Sequence, residues 1–294
     1  MSLAADGRNS RKEDHMVSQE KLRELKLFAA DIRIAAIRAI ESIGVGHVGG
    51  SMSVCDLMAC LYGEVLNVRP DQPRWEERDR FIMSKGHAGP AMYAALALKG
   101  YFPIEELKTL NAPDTRLPSH TDMQKTPGVD MTTGSLGQGF SSGLGIALGC
   151  RKKGLDNYIY ILLGDGECEE GQVWECAMFA PAKKLNRVIA FVDYNKLQLD
   201  GTVEEVVGLN NLGAKFEAFG WHVVDVADGN DVEQILRAID EAKAADDRPS
   251  MLILNTKKGK GCSFAEDVFN HNMPVSSQLA QEAIDKLEEY KASL

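Results

Sequence analysis

Two polar residues close apolar runs thirty positions apart: Asp165, between Gly164 and Gly166, and Asn195. A carboxylate, an amide and a backbone carbonyl form a hard-oxygen set. Such donors suit Mg²⁺ or Ca²⁺ when phosphate oxygens and water complete the shell. The glycines beside Asp165 let the backbone approach a diphosphate closely, and a helix starting near Gly171 would turn its positive end to the same anion. Taken alone, Gly-Asp-Gly is a common turn. Histidines form the second group. His47 lies in GHVGG, His87 in SKGHAGP, His120 in LPSHTD and His271 in FNHNMP. One histidine in a Gly-rich loop is usually a loop donor, but several neutral imidazoles at one site move protons to and from hydroxyl and carbonyl oxygens near pH 7. His15, in a polar leader, and His222, beside Trp221 in a strand, read as bland. Glu167, Glu169 and Glu170 read from the residues alone as a solvated acidic face, and Cys168 and Cys176 as packing residues.

The elements around these residues follow from hydrophobic periodicity. Leu22, Leu25, Phe28, Ala29, Ile32, Ala36, Ile37 and Ile40 recur at helical spacing and predict a helix within Ser18–Ile43. Further helices are expected over Val54–Leu66 and Ala88–Lys99, and Gly134–Gly149 reads as a loop entering a closely packed helix. From Tyr158 the rhythm alternates. Strands are expected over Tyr158–Leu163, Arg187–Val192, Trp221–Val226 and Met251–Asn255, with helices over Gln172–Lys184, Leu212–Phe219 and Val232–Ala244 between them. The continuous apolar runs suit strands buried on both faces. The expected fold is α/β: a mostly parallel sheet with helices on both faces. In such sheets ligands bind beyond the carboxyl ends of strands, and one strand–helix–strand unit places Asp165 and Asn195 at neighbouring ends.

Composition narrows the function classes. Hydrophobic residues make up 44% and charged residues 26% of 294, close to an ordinary globular chain. A net charge of −10, from 33 basic and 43 acidic residues, argues against nucleic acid as the main partner. No apolar run is long enough to span a membrane. The first 17 residues read as a polar tail or leader without a signal-peptide core, and 18–294 as a single domain. Six cysteines without a C-x-x-C pair fit a reducing cytoplasm better than a disulfide or zinc framework. Gly134-x-x-Gly-x-Gly139 lacks the preceding strand and the acidic ribose partner of a nicotinamide site.

The stretch GDGECEEGQVWECAMFAPAKKLNRVIAFVDYNKLQLDG resembles the thiamine-diphosphate motif, and transketolase in particular. SIGVGHVGGSMS, RFIMSKGHAGPAMYAALALKGYF and PGVDMTTGSLGQGFSSGLGIALG are similar in order, from about residue 20 to about 275. The resemblance implies thiamine diphosphate and Mg²⁺ (or Ca²⁺) as cofactors, with Asp165, Asn195 and the carbonyl of Leu197 on the metal. It places Gly164 and Gly166 beside the diphosphate, and Gly134 and Leu136 by the aminopyrimidine. His47, His87, His120 and His271 become active-site histidines, His87 also touching the cofactor. Glu170 and Glu175 join a carboxylate network between subunits, which leaves Glu167 and Glu169 as the solvated face.

The family's chains are roughly twice this length, and nothing here resembles their pyrimidine-binding domain. The chain therefore resembles the N-terminal subunit of a split transketolase, moving a two-carbon ketol unit from a ketose phosphate to an aldose phosphate with a separate C-terminal subunit. The expected assembly is a homodimer completed to a heterotetramer, through a surface around Gly134, Leu136, Glu170 and Glu175. Pentose-phosphate sugars are the default substrates. The alternatives are a component of a 2-oxoacid dehydrogenase, a deoxyxylulose-phosphate synthase type of enzyme, and a non-catalytic cofactor-binding half. The histidine motifs speak against the first, and the second would be a longer single chain.

Overall fold

The computed structural model describes residues 17–266, 268–269 and 271–294. The strands are β1 (Val45–Gly46), β2 (Arg80–Met83), β3 (Ile159–Gly164), β4 (Val188–Asp193), β5 (His222–Val226), β6 (Ser250–Leu254) and β7 (Met273–Pro274). The helices are α1 (Gln19–Glu41), α2 (Val48–Met52), α3 (Cys55–Cys60), α4 (Gly89–Lys99), α5 (Gln138–Lys152), α6 (Gly171–Ala182), α7 (Val203–Val206), α8 (Leu212–Phe219), α9 (Val232–Ala244) and α10 (Ser277–Ser293). Five strands form one sheet in the order β2-β3-β4-β6-β5, every neighbouring pair parallel. The expected α/β class is the one found.

Side-chain alternation along the strands explains the layers. Tyr160, Leu162, Ile189, Phe191, Leu252 and Leu254 enter one core with α1, α3, α4, α9 and α10. Ile159, Ile161, Leu163, Val188, Ala190, Val192, Met251 and Ile253 enter the other, beneath α5, α6 and α8. Both faces of β3 and β4 are covered, so these two strands carry no charged residue until their carboxyl ends. There the pattern breaks, and Asp193 closes β4 opposite Gly164 of β3.

The elements expected from Tyr158 onward, and α1 and α4 before them, lie within a residue or two of their expected bounds; three other features stand out. The periodicity does not reveal β2, because four residues beginning with Arg80 are too few to show a period. The helix expected over Val54–Leu66 is α3 continued by a π-helical turn, Leu61–Val65. The short β1–β7 pair joins segments over two hundred residues apart, Val45 opposite Pro274, and brings His271 back toward His47. The expected polar leader lies outside the described residues except Val17, as does His15. Among the described residues no helix is long and apolar enough to cross a membrane. All six cysteines are unpaired and buried.

Candidate active site

Because β3 and β4 are neighbours in register, the turns that follow them lie side by side. Asp165 is buried, and its two oxygens accept the Gly166 N–H at 2.8 Å and the Lys196 N–H at 2.5 Å. Asn195 accepts the Leu197 N–H at 3.1 Å and donates to Asp193 at 3.0 Å. The Leu197 carbonyl accepts from the Lys258 ammonium at 3.0 Å. Burial, and then the neighbouring Asp193 carboxylate, push the Asp165 carboxyl up to about 7. Burial and the charge of Lys85 bring Lys258 down to about 8. A desolvated acid beside an amide oxygen and a carbonyl already holding a cation is a donor set that fits Mg²⁺ or Ca²⁺. Among the described residues no group of three or more His, Cys, Asp or Glu is placed to hold a metal, so diphosphate oxygens and water are needed to complete the shell.

Sequence reasoning missed the group beneath this set. Asp193 is fully buried, and Lys85 is 1% exposed. One Asp193 oxygen takes the Lys85 ammonium, the Ser53 hydroxyl at 2.7 Å and the Asn195 amide; the other takes the Thr256 hydroxyl. Burial alone would raise this carboxyl, but Lys85 and the two hydroxyls hold it below the usual carboxylate range. Lys85 and Lys258 thus place two positive charges by the Asp165 turn. A signal existed: Asp193 is the one charged residue ending an otherwise apolar strand, and both lysines lie in glycine-rich segments.

The four motif histidines, from four separate segments, converge. The His47 ring centroid lies 5.6 Å from that of His87, 5.7 Å from His120 and 5.0 Å from His271, and His87 lies 4.9 Å from His271. Burial lowers all four, each below its ordinary value. His47 and His271 fall to about 4, helped by the other histidines and by Lys258. Each ring is therefore neutral near pH 7, with one N–H to donate and one nitrogen to accept. A Cβ added to Gly50 would sit 3.1 Å from the His87 ring and 3.5 Å from the Lys85 ammonium, so the histidines adjoin the Lys85–Asp193 group. Gly134 borders the same space, lying against the His120 ring and against Gly86, and Leu136 follows two residues later in the same loop.

Other expected residues fall outside this cluster. Glu170 occupies the N-cap position of α6 without a side-chain capping bond and Glu175 stands on its outer face, both exposed. A 3₁₀ turn, Gly166–Glu169, separates Asp165 from α6. Glu167 corrects the reading as a solvated face. It is 2% exposed and accepts hydrogen bonds from Ser84, Gly137 and Gly164. Two backbone N–H groups and a hydroxyl satisfy a carboxylate as water would. Glu169 is half-buried and bonds to Gln198. His222 lies on β5, 3.3 Å from Glu241 and away from the site.

Residues 25–289 match the family described as "Transketolase, thiamine diphosphate binding domain". The chain belongs to the transketolase family. It is the diphosphate-binding, N-terminal part of a thiamine-diphosphate-dependent transferase. It is 53% identical over 258 residues to a 6-deoxy-6-sulfo-D-fructose transketolase subunit of Clostridium sp. (strain MSTE9), covering 87% of this chain and 94% of the relative. It is 35% identical to one of the apulose-4-phosphate transketolase subunits of Phocaeicola vulgatus, over 90% of this chain and 96% of the relative. The crystal structure of transketolase from Campylobacter jejuni superposes with a TM-score of 0.84 at 29% identity, over 94% of this chain but 43% of that one. The chain thus matches relatives named as subunits over nearly their whole length, and spans less than half of that solved transketolase.

Proposed function

We propose that this chain, with a second chain carrying the pyrimidine-binding half, transfers a two-carbon ketol unit from a ketose to an aldose phosphate. The observation that carries the reading is the meeting of four neutral imidazoles with a hard-oxygen set and two buried lysines at the carboxyl end of one sheet. Asp165, Asn195 and the Leu197 carbonyl would hold Mg²⁺ (or Ca²⁺). Gly164, Gly166, Lys85 and Lys258 would face the diphosphate, with Gly134 and Leu136 beside the aminopyrimidine. When bound, thiamine diphosphate supplies the carbanion and electron sink that cleaving a ketose requires. The chain's own residues bind and orient it, and exchange protons with the sugar. His47, His87, His120 and His271, uncharged at neutral pH, accept a proton from one oxygen and return it to another.

A surface of α5 and α6 supports the partner. Glu170 and Glu175 stand there beside exposed Met178 and Phe179. Added Cβ atoms at Gly145, Gly149 and Gly171 would meet nothing within 4 Å, so this chain's own packing does not require glycine there. We assign that face to another chain, in a homodimer that the partner completes to a heterotetramer. The substrate is a ketose with a terminal anion. The name of the 53% identical relative favours a 6-sulfonated ketose over the pentose phosphates. Six reduced, buried cysteines support a cytoplasmic setting. We read 18–294 as one domain, built on the single five-stranded sheet.

The test is reconstitution. The two purified chains are mixed with thiamine diphosphate and Mg²⁺ and offered 6-deoxy-6-sulfofructose or xylulose 5-phosphate as donor, with an aldose phosphate as acceptor. Ketol transfer is expected only in the mixture. Robust transfer by this chain alone refutes the split-subunit reading, and preference for the pentose phosphate refutes the choice of donor.

A further inference from the structure

Glu167 has a place in the site that its position in an acidic run conceals. Its Oε1 accepts from the Ser84 hydroxyl and, at 2.8 Å, from the Gly137 N–H. Its Oε2 accepts from the Gly164 N–H at 3.0 Å. Three segments remote in sequence therefore meet on one carboxylate: the end of β2, the cap of α5 and the end of β3. Gly137 is in the left-handed region, with φ of 81°, which glycine adopts without a side-chain clash. There its N–H goes to Glu167 rather than to the helix. Packing repeats the connection, since a Cβ added to Gly139 would come within 2.6 Å of Ser84 Oγ. Ser84 in turn precedes Lys85, whose ammonium goes to Asp193. The Ser84–Lys85 pair is thus pinned by two buried carboxylates.

We propose that Glu167 is a positioning residue, setting the spacing between the Gly164–Gly166 turn and the loop 134–137. The proposal rests on the thiamine-diphosphate reading above. In that reading the turn holds the diphosphate and the loop borders the aminopyrimidine of the same molecule. Both must therefore keep one separation before the ligand arrives, and a small misplacement costs affinity steeply. A carboxylate suits the task because it accepts from both backbones at once. Glutamine cannot. Wherever its NH₂ group lies, it faces the Gly137 or the Gly164 N–H, and one of these loses its acceptor.

The experiment compares the reconstituted two-chain complex with the same complex carrying Glu167→Gln by calorimetry, titrating thiamine diphosphate in the presence of Mg²⁺. The variant is expected to bind about ten- to hundredfold more weakly, the range for one buried donor left unpaired, while it keeps the circular dichroism of the parent. In the reconstituted enzyme the same loss should appear as a raised KM for cofactor, with kcat at saturation within about threefold. Equal affinity in a folded variant overturns the proposal, even if its thermal midpoint falls, because Glu167 is then merely structural. Hydrogen exchange on the wild type supplies an independent check should the variant not fold: the Gly137 and Gly164 amides are expected to be protected without cofactor, and rapid exchange at Gly137 overturns the proposal. Absence of cofactor binding by the wild-type two-chain complex would instead overturn the reading on which the proposal stands.

Discussion

Asp193→Asn should be the most damaging near-isosteric change in the site. The side chain is fully buried and accepts from Lys85, Ser53, Asn195 and Thr256. Asparagine keeps the shape and, with its oxygen toward Lys85, most of the hydrogen bonds, since the Thr256 hydroxyl can turn to accept. What disappears is the charge opposite an ammonium that is 1% exposed. A buried charge stripped of its partner costs about 3–5 kcal/mol, and at about 2–4 °C per kcal/mol for a chain of this size the thermal midpoint should fall by about 6–20 °C. Urea unfolding followed by circular dichroism gives the free energy directly. The decisive comparison adds Lys85→Met. With both charges removed, nothing buried is left unpaired, so the double variant should be more stable than Asp193→Asn alone. A loss under about 1 kcal/mol in the single variant, or additive losses in the double, would refute this account of the pair.

Asp165→Ala should abolish Mg²⁺-dependent binding of thiamine diphosphate in the reconstituted complex, because it removes the one carboxylate assigned to the metal; unchanged affinity by calorimetry would mean that the turn has been misread. His87→Ala and His271→Ala should each lower turnover of the reconstituted enzyme by about ten- to ten-thousandfold, with cofactor affinity much less affected at His271. Wild-type turnover in both would remove them from the site. The folded chain holds His47 and His271 near 4, against an ordinary 6.5. Between about pH 6.5 and 4 the unfolded chain then binds more protons than the folded one. Stability should be full above pH 6.5 and fall as the pH drops through that window. Since both rings are only about half-buried, the discounted effect is about 1 kcal/mol each. Thermal midpoints at pH 7.5 and 5.0 should differ less in a His47→Gln, His271→Gln double variant than in the wild type, and an equal difference would count against the lowered values.

Some of this molecule was legible along the chain because it depends on local order. Period-3.6 and continuous apolar runs locate α1, α9 and β3 to within a residue or two, since burying one stripe or both faces constrains the residues that form it. The paired strand ends were legible for the same reason: apolar runs stop where the sheet stops, at Gly164 and Asp193. The types of the chemical groups, an acid, an amide and four histidines, could also be read directly. What tertiary structure decided is the surroundings of each group. Glu167 belongs to a run of acids that looks solvated, yet folding sets it against two backbone N–H groups and a hydroxyl. Lys85 and Asp193 are 108 residues apart and become one ion pair only when β2, β3 and β4 lie in order. His47 and His271 face each other through two-residue strands with no period to detect. A side chain's type and periodicity are carried by its neighbours in sequence, whereas its charge state and partners depend on neighbours in space, brought together when separate elements bury their apolar faces on one another.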